Sequence, residues 1–96
     1  MLVLITYDVC TEDSAGAKRL RKVAKACENH GQRVQKSVFE CLLDSAQSKL
    51  LKAKLLKIID QDKDSIRIYY LGEKYHGKVE HFGVKEGYDP EGALIV

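Results

Sequence analysis

Apolar residues fall on both parities of the opening run, Leu2 to Val9 (LVLITYDV), which is rich in β-branched and aromatic side chains. That pattern predicts a central strand buried on both faces, with its last residues emerging at an edge of the core. After the polar stretch from Cys10, Asp13 or Ser14 is placed to cap a helix, and Leu20, Val23, Ala24 and Cys27 follow at i, i+3, i+4 and i+7. This helix is expected to run to about His30, with Gly31 as its stop. Between Gln32 and Leu43 the residues again favour strand, but Val34, Val38, Phe39, Cys41, Leu42 and Leu43 keep no single period-two register. A kink near Lys36 or Ser37 splits the run into two short strands.

Asp44 and Ser45 offer a second N-cap, followed by an apolar stripe at Leu51, Leu55 and Ile58 with Leu50 and Ile59 beside it. The acidic DQDKD segment reads as a turn, and Ile66, Ile68 and Tyr70 then alternate with Arg67 and Tyr69 in a half-buried strand. Gly72 to Gly77 reads as a further turn, Lys78 to Phe82 as a short strand, and Gly83 to Gly92 as a loop before the apolar ending ALIV. The order strand, helix, two short strands, helix, strand predicts an α+β chain with the split βαβ pattern of a ferredoxin-like sandwich, carrying one or two extra C-terminal strands. The 96 residues suffice for a single domain spanning 1–96. A tail from about residue 84 to 96 that ends apolar calls for a sheet edge to pair with, such as a partner subunit's.

Composition narrows the classes further. Sixteen Lys and Arg against fourteen Asp and Glu give a net charge of +2, which on its own implies neither nucleic acid nor membrane. The distribution is more informative, since KRLRKVAK places Lys18, Arg19, Arg21, Lys22 and Lys25 on one helix with no acid among them. Such a face either lines up along a phosphate backbone or is an ordinary solvated surface. Arg33, just after Gly31, is a further candidate phosphate contact. Cys10, Cys27 and Cys41 have neither disulfide nor zinc-ribbon spacing, so free thiols in a reducing cytoplasm are expected. MLVLITY lacks a charged leader and is interrupted by Asp8 well short of a membrane span.

Asp8 is the sharpest candidate for chemistry. A carboxylate closing a strongly apolar strand needs a cap or ion-pair role, solvent, or a bound cation. One aspartate per chain is sparse for magnesium, and a two-fold axis running past Asp8 would supply a second. Ser37 stands beside the proposed kink, where its hydroxyl can hold a water or a phosphate oxygen. Phe39 and Tyr7 are candidates for an interface, with core packing as the alternative. His30, His76 and His81 have no metal-ligand spacing and none sits in a nucleophile motif.

Taken together, VLITYDV, KRLRKVAKAC, GQRVQKSVFEC, DSIRIYYLG and VEHFG closely resemble the CRISPR-associated protein two family, the small subunit of spacer acquisition, across essentially the whole chain, with subtype I-C members closest. The resemblance implies a ferredoxin-like homodimer whose C-terminal strands pack on the partner's sheet. It places Asp8 of each subunit across the dyad with one shared Mg2+ or Mn2+ ion, making Asp8 the metal ligand; the chemistry of the residues adds Ser37, to orient the water or a phosphate oxygen, and Arg33, to neutralise the non-bridging oxygens, as the rest of the catalytic set. Tyr7 matches the residue before the family's metal-binding aspartate, Arg33 and Phe39 match positions implicated in activity in some members, and Arg19 and Arg21 match the family's basic helix more loosely. It further implies a metal-dependent endonuclease on single-stranded RNA or duplex DNA, and a partner of the CRISPR integrase subunit that holds the protospacer duplex. Two other readings remain at this point: a purely structural DNA-binding adaptor, and a toxin-like ribonuclease outside CRISPR.

Overall fold

The computed structural model describes residues 1–71 and 78–84. Seven elements follow one another: β1 (Leu2–Asp8), α1 (Ser14–Glu28), β2 (Gly31–Gln35), β3 (Val38–Leu42), α2 (Ser45–Ile58), β4 (Ser65–Leu71) and β5 (Lys78–Gly83). The strands form one sheet in the order β2-β3-β1-β4-β5, with every neighbouring pair antiparallel. Each helix therefore crosses over one intervening strand, α1 from β1 to β2 past β3, and α2 from β3 to β4 past β1. That is the ferredoxin-like arrangement, extended by β5 on the free side of β4.

Local chemistry sets the helix ends. Of the two candidates, Asp13 is the cap of α1, its carboxylate accepting the Gly16 N–H at 2.7 Å. Asp44 caps α2 in a reciprocal box, in which Asp44 Oδ1 accepts the Gln47 N–H at 2.7 Å and Gln47 Oε1 accepts the Asp44 N–H at 3.0 Å. α1 ends at Glu28 with Asn29 as its C-cap, two residues earlier than the spacing predicts, and Gly31 opens β2 instead of ending the helix. The expected kink is a turn at 36–37 between β2 and β3, with a register shift between Arg33 and Gln35.

The core lies between the helices and one face of the sheet. Val3, Ile5 and Tyr7 of β1 meet Phe39 and Cys41 of β3 and Ile66, Ile68 and Tyr70 of β4, and Val23, Ala26, Cys27, Leu51 and Leu55 close over them from α1 and α2. Burial along β1 alternates, so the expectation of a strand buried on both faces is corrected: Leu2, Leu4 and Thr6 are only partly covered and Asp8 is exposed. On that second face Leu42 is 77% exposed, and Leu71 is exposed as well. Leu50, predicted beside the apolar stripe of α2, points outward at 70% exposure, because the buried stripe is Ser48, Leu51 and Leu55.

Cys27 and Cys41 are buried free thiols, and burial pushes the Cys27 thiol up to about 12. No helix among the described residues is long and apolar enough to cross a membrane. The expected turn at 72–77 and the tail of 85–96, with its proposed packing on a partner, lie outside the described residues.

The two leucine environments on α2 make the burial pattern testable by urea denaturation. Leu55→Ala should cost about 2–5 kcal/mol, and Leu50→Ala should stay within about 0.5 kcal/mol of the parent. Similar losses at both positions would contradict the stripe described here.

Candidate active site and basic helix face

Asp8 is the last residue of β1, opposite Ser65 on β4. Successive strand residues point to opposite faces, so Asp8 shares the side of Leu2, Leu4 and Thr6, away from the helices. Its carboxylate is exposed, and among the described residues it accepts no hydrogen bond and forms no ion pair. It borders a cleft of about 300 Å³ lined also by Thr6, Tyr7, Lys63, Ser65, Arg67, His81 and Val84.

The far side of this cleft is built by β-pairing, which sets Arg67 beside Thr6 on one side and His81 on the other. Arg67 Nη2 lies 2.7 Å from His81 Nδ1, and His81 Nε2 lies 2.7 Å from the Val84 carbonyl oxygen. A guanidinium only donates and a carbonyl only accepts, so Nδ1 is the acceptor and Nε2 carries the proton. The imidazole thereby orients the guanidinium that faces the cleft. Sequence reading missed Lys63, Ser65, Arg67 and His81 as cleft residues, and the only signal available was the alternation of β4.

Among the described residues no group of three or more His, Cys, Asp or Glu side chains is placed to hold a metal ion. Asp8 offers a hard carboxylate donor that no other described residue engages, which suits a hydrated magnesium-type ion that keeps its waters and takes about one or two carboxylates. The described residues lining the cleft add no second carboxylate to it. Lys63 and Arg67 place two cations in the same cleft, and Thr6 and Ser65 place two hydroxyls there. The cleft thus gathers one carboxylate, two hydroxyls and two positive groups, of which Lys63 also pairs with Asp13 at 3.6 Å.

Other predicted site residues fall elsewhere. Ser37 sits in the turn next to the end of β1, its carbonyl accepting the Tyr7 N–H at 3.1 Å. Tyr7 and Phe39 are corrected from interface to core: their rings stack at 6.1 Å on the helix side, and Phe39 is 0% exposed. Burial pushes the Tyr7 phenol above its usual value, against the opposing pull of Arg33. Arg33 lies over the Phe39 ring at 5.1 Å and pairs with Glu28 at 3.2 Å. It therefore belongs to the helix side of the sheet, and within one chain the structure does not bring it to Asp8, because odd and even positions of the paired strands face opposite ways.

On α1, Lys18, Arg21, Lys22 and Lys25 form one exposed stripe. Arg19 is corrected: it turns inward, where its Nε donates to Asp64 Oδ2 at 2.7 Å and its Nη2 donates to Asp64 Oδ1 at 3.3 Å. Asp64 is 0% exposed and was not singled out among the acids of its turn. Burial works to raise its pKa, but the bonds from Arg19 and from the Asp60 and Cys10 N–H groups outweigh that and hold it below the usual carboxylate value.

The family model described as CRISPR associated protein Cas2 matches residues 1–79. The CRISPR-associated endonuclease Cas2 of Halalkalibacterium halodurans is 62% identical over 95 residues, covering 99% of both chains. The CRISPR-associated endoribonuclease Cas2 of Nitratidesulfovibrio vulgaris is 58% identical over 96 residues, covering 100% of this chain and 94% of that one. Among solved structures, Streptococcus pyogenes Cas2 at pH 6.5 superimposes with a TM-score of 0.71 at 54% identity, covering 86% of this chain and 100% of that one.

A depressed carboxylate contributes stability that is present above its unfolded pKa and is lost as pH falls through the folded value. For Asp64 that window begins near the ordinary value of 3.8 and extends below it. Urea midpoints measured from about pH 6 down to about pH 3 should fall less steeply in Asp64→Asn than in the parent, from a lower plateau at neutral pH. Parallel curves would show that the pair carries none of the acid sensitivity.

Proposed function

We propose, from the premise that this chain belongs to the Cas2 family of CRISPR-associated proteins, that two copies form the nucleic-acid-binding subunit of the spacer-acquisition machinery and carry a metal-dependent endonuclease site at Asp8. The observation that carries this reading is that Asp8, exposed and without an ion-pair partner among the described residues, stands on the same sheet face as Leu2, Leu4, Leu42 and Leu71. Exposed apolar side chains of this kind mark an association surface, and a second copy of the chain is the partner that fits them. A dyad close to the end of β1 then sets one Asp8 against the other.

The chain's own groups have separable tasks. The paired Asp8 carboxylates would hold a magnesium or manganese ion, which when bound supplies an activated water and offsets developing charge on the phosphate. Lys63 and Arg67 neutralise the non-bridging oxygens, with Arg67 aimed by its bond to His81. Thr6 and Ser65 offer hydroxyls to the water or a phosphate oxygen, and Ser37 borders the same strand end. The stripe Lys18, Arg21, Lys22 and Lys25 contacts the backbone of duplex DNA without reading its sequence, and the same surface accepts single-stranded RNA. The working partner in the cytoplasm is the CRISPR integrase subunit. The relatives' names, endoribonuclease and endonuclease, support phosphodiester cleavage over the toxin-like alternative, since each is also named CRISPR-associated.

A second reading, the non-catalytic adaptor, is favoured by one specific observation: the basic stripe lies on α1, on the helix side of the sheet, away from the face that carries Asp8. The two readings separate experimentally. Asp8→Asn should lower manganese-dependent cleavage of RNA and DNA by about a hundredfold or more while leaving duplex affinity within about twofold. Replacing Lys18, Arg21 and Lys22 by Glu should weaken duplex binding and flatten its salt dependence, by about one unit of slope per lost phosphate contact. Cleavage that survives Asp8→Asn in a purified protein would leave the adaptor alone.

A further inference from the structure

Asp64 is the meeting point of three segments that wall the Asp8 cleft. Its Oδ1 accepts the Cys10 N–H at 3.0 Å, two residues beyond Asp8, and its Oδ2 accepts the Asp60 N–H at 2.9 Å. Its backbone carbonyl accepts the Val84 N–H at 3.0 Å, and Val84 in turn receives the His81 Nε2 proton. Arg19 closes the arrangement, holding Asp64 through two nitrogens and donating from Nη2 to the Cys10 carbonyl at 3.4 Å. Asp64 thus ties together the turn that follows β1, the turn that precedes β4 and the residue that follows β5.

The backbone is shaped for this convergence. A side chain at Gly16 would collide with the Cys10 carbonyl, so only glycine lets α1 approach that turn. Gly83 has φ of +96° and passes so close to the Asp64 carbonyl that a Cβ there would overlap it. Two close backbone approaches, at Cys10 and at Asp64, therefore flank one buried ion pair.

We propose that Arg19 and Asp64 are positioning residues for Asp8, clamping the segment 8–10 against β4 and β5 so that the carboxylate and the Arg67–His81 pair keep a fixed relation. Neither residue touches substrate. A carboxylate on a frayed strand end would sample many orientations, and catalytic groups must hold their geometry to about 0.5 Å. The kinetic consequence rests on the nuclease reading above; the ordering of the segment does not.

The test compares the parent with Arg19→Lys, which keeps the charge but cannot supply the same fork of donors, and with Arg21→Gln on the exposed stripe. Backbone amide relaxation should show motion appearing at residues 8–10 in Arg19→Lys and in no other strand. With manganese, kcat should fall roughly tenfold or more with KM within about twofold, whereas Arg21→Gln should act chiefly on binding, raising KM and duplex Kd. Should Arg19→Lys not fold, hydrogen exchange on the parent decides: the Cys10, Asp60 and Val84 amides are expected to open as one unit, and independent opening overturns the clamp. An Arg19→Lys protein with an unchanged 8–10 segment and the Arg21→Gln binding defect would make Arg19 a substrate contact instead. A parent with no Asp8-dependent cleavage ends the nuclease reading, and the relaxation and exchange results then still decide the clamp.

Discussion

Side chains on a pleated strand cannot choose their face independently, and that restriction organises this protein around β1. With Val3, Ile5 and Tyr7 committed to the helix side, Leu2, Leu4, Thr6 and Asp8 must all project the other way. The carboxylate is thereby excluded from the core beneath the helices and placed on the opposite sheet face, where it is exposed. Flanking antiparallel partners β3 and β4 extend the same alternation sideways, adding Leu42 and Leu71 to the open face and Arg67 to the cleft.

Two carboxylates, Asp8 and Asp64, show how environment separates scaffold from chemistry. Asp64 is buried and receives hydrogen bonds from a guanidinium and two backbone N–H groups, so its charge is consumed in joining α1, β1 and β4. Asp8, at the other end of the short turn that Asp64 ties down, is exposed and accepts no hydrogen bond from any described residue. A buried pair of this kind contributes little net stability over an apolar substitute, yet removing one partner strands the other. Its value lies in specifying where the strand end sits.

Much of this was readable from residue order. The caps at Asp13 and Asp44, the split near Ser37 and the exceptional Asp8 all follow from local patterns, which need no knowledge of distant neighbours. Arg19 was assigned to the basic surface, although it stands four residues before Val23 and seven before Ala26, on the buried side of α1. That spacing requires a buried anion, but nothing local distinguishes Asp64 from Asp60 or Asp62 as its partner. Apolar residues on both parities of β1 suggest burial on both faces, whereas Leu2 and Leu4, two of its five apolar residues, face away from the helices and are only partly covered. Arg67 reaches the cleft through pairing with Thr6 across sixty-one residues, His81 through its pairing with Arg67, and Lys63 from the turn before β4, and Arg33 follows Phe39 to the helix side by the same register rule.

The central claim is that two copies of Asp8 share a cation at a molecular dyad. Crystals of the protein grown with manganese and measured at the metal's absorption edge test it most directly. The account predicts one anomalous peak on the two-fold axis, within direct coordination distance of both Asp8 carboxylates and bordered by Lys63 and Arg67. A dimer whose Asp8 side chains face away from each other, or a manganese peak bound elsewhere with none between them, would contradict it.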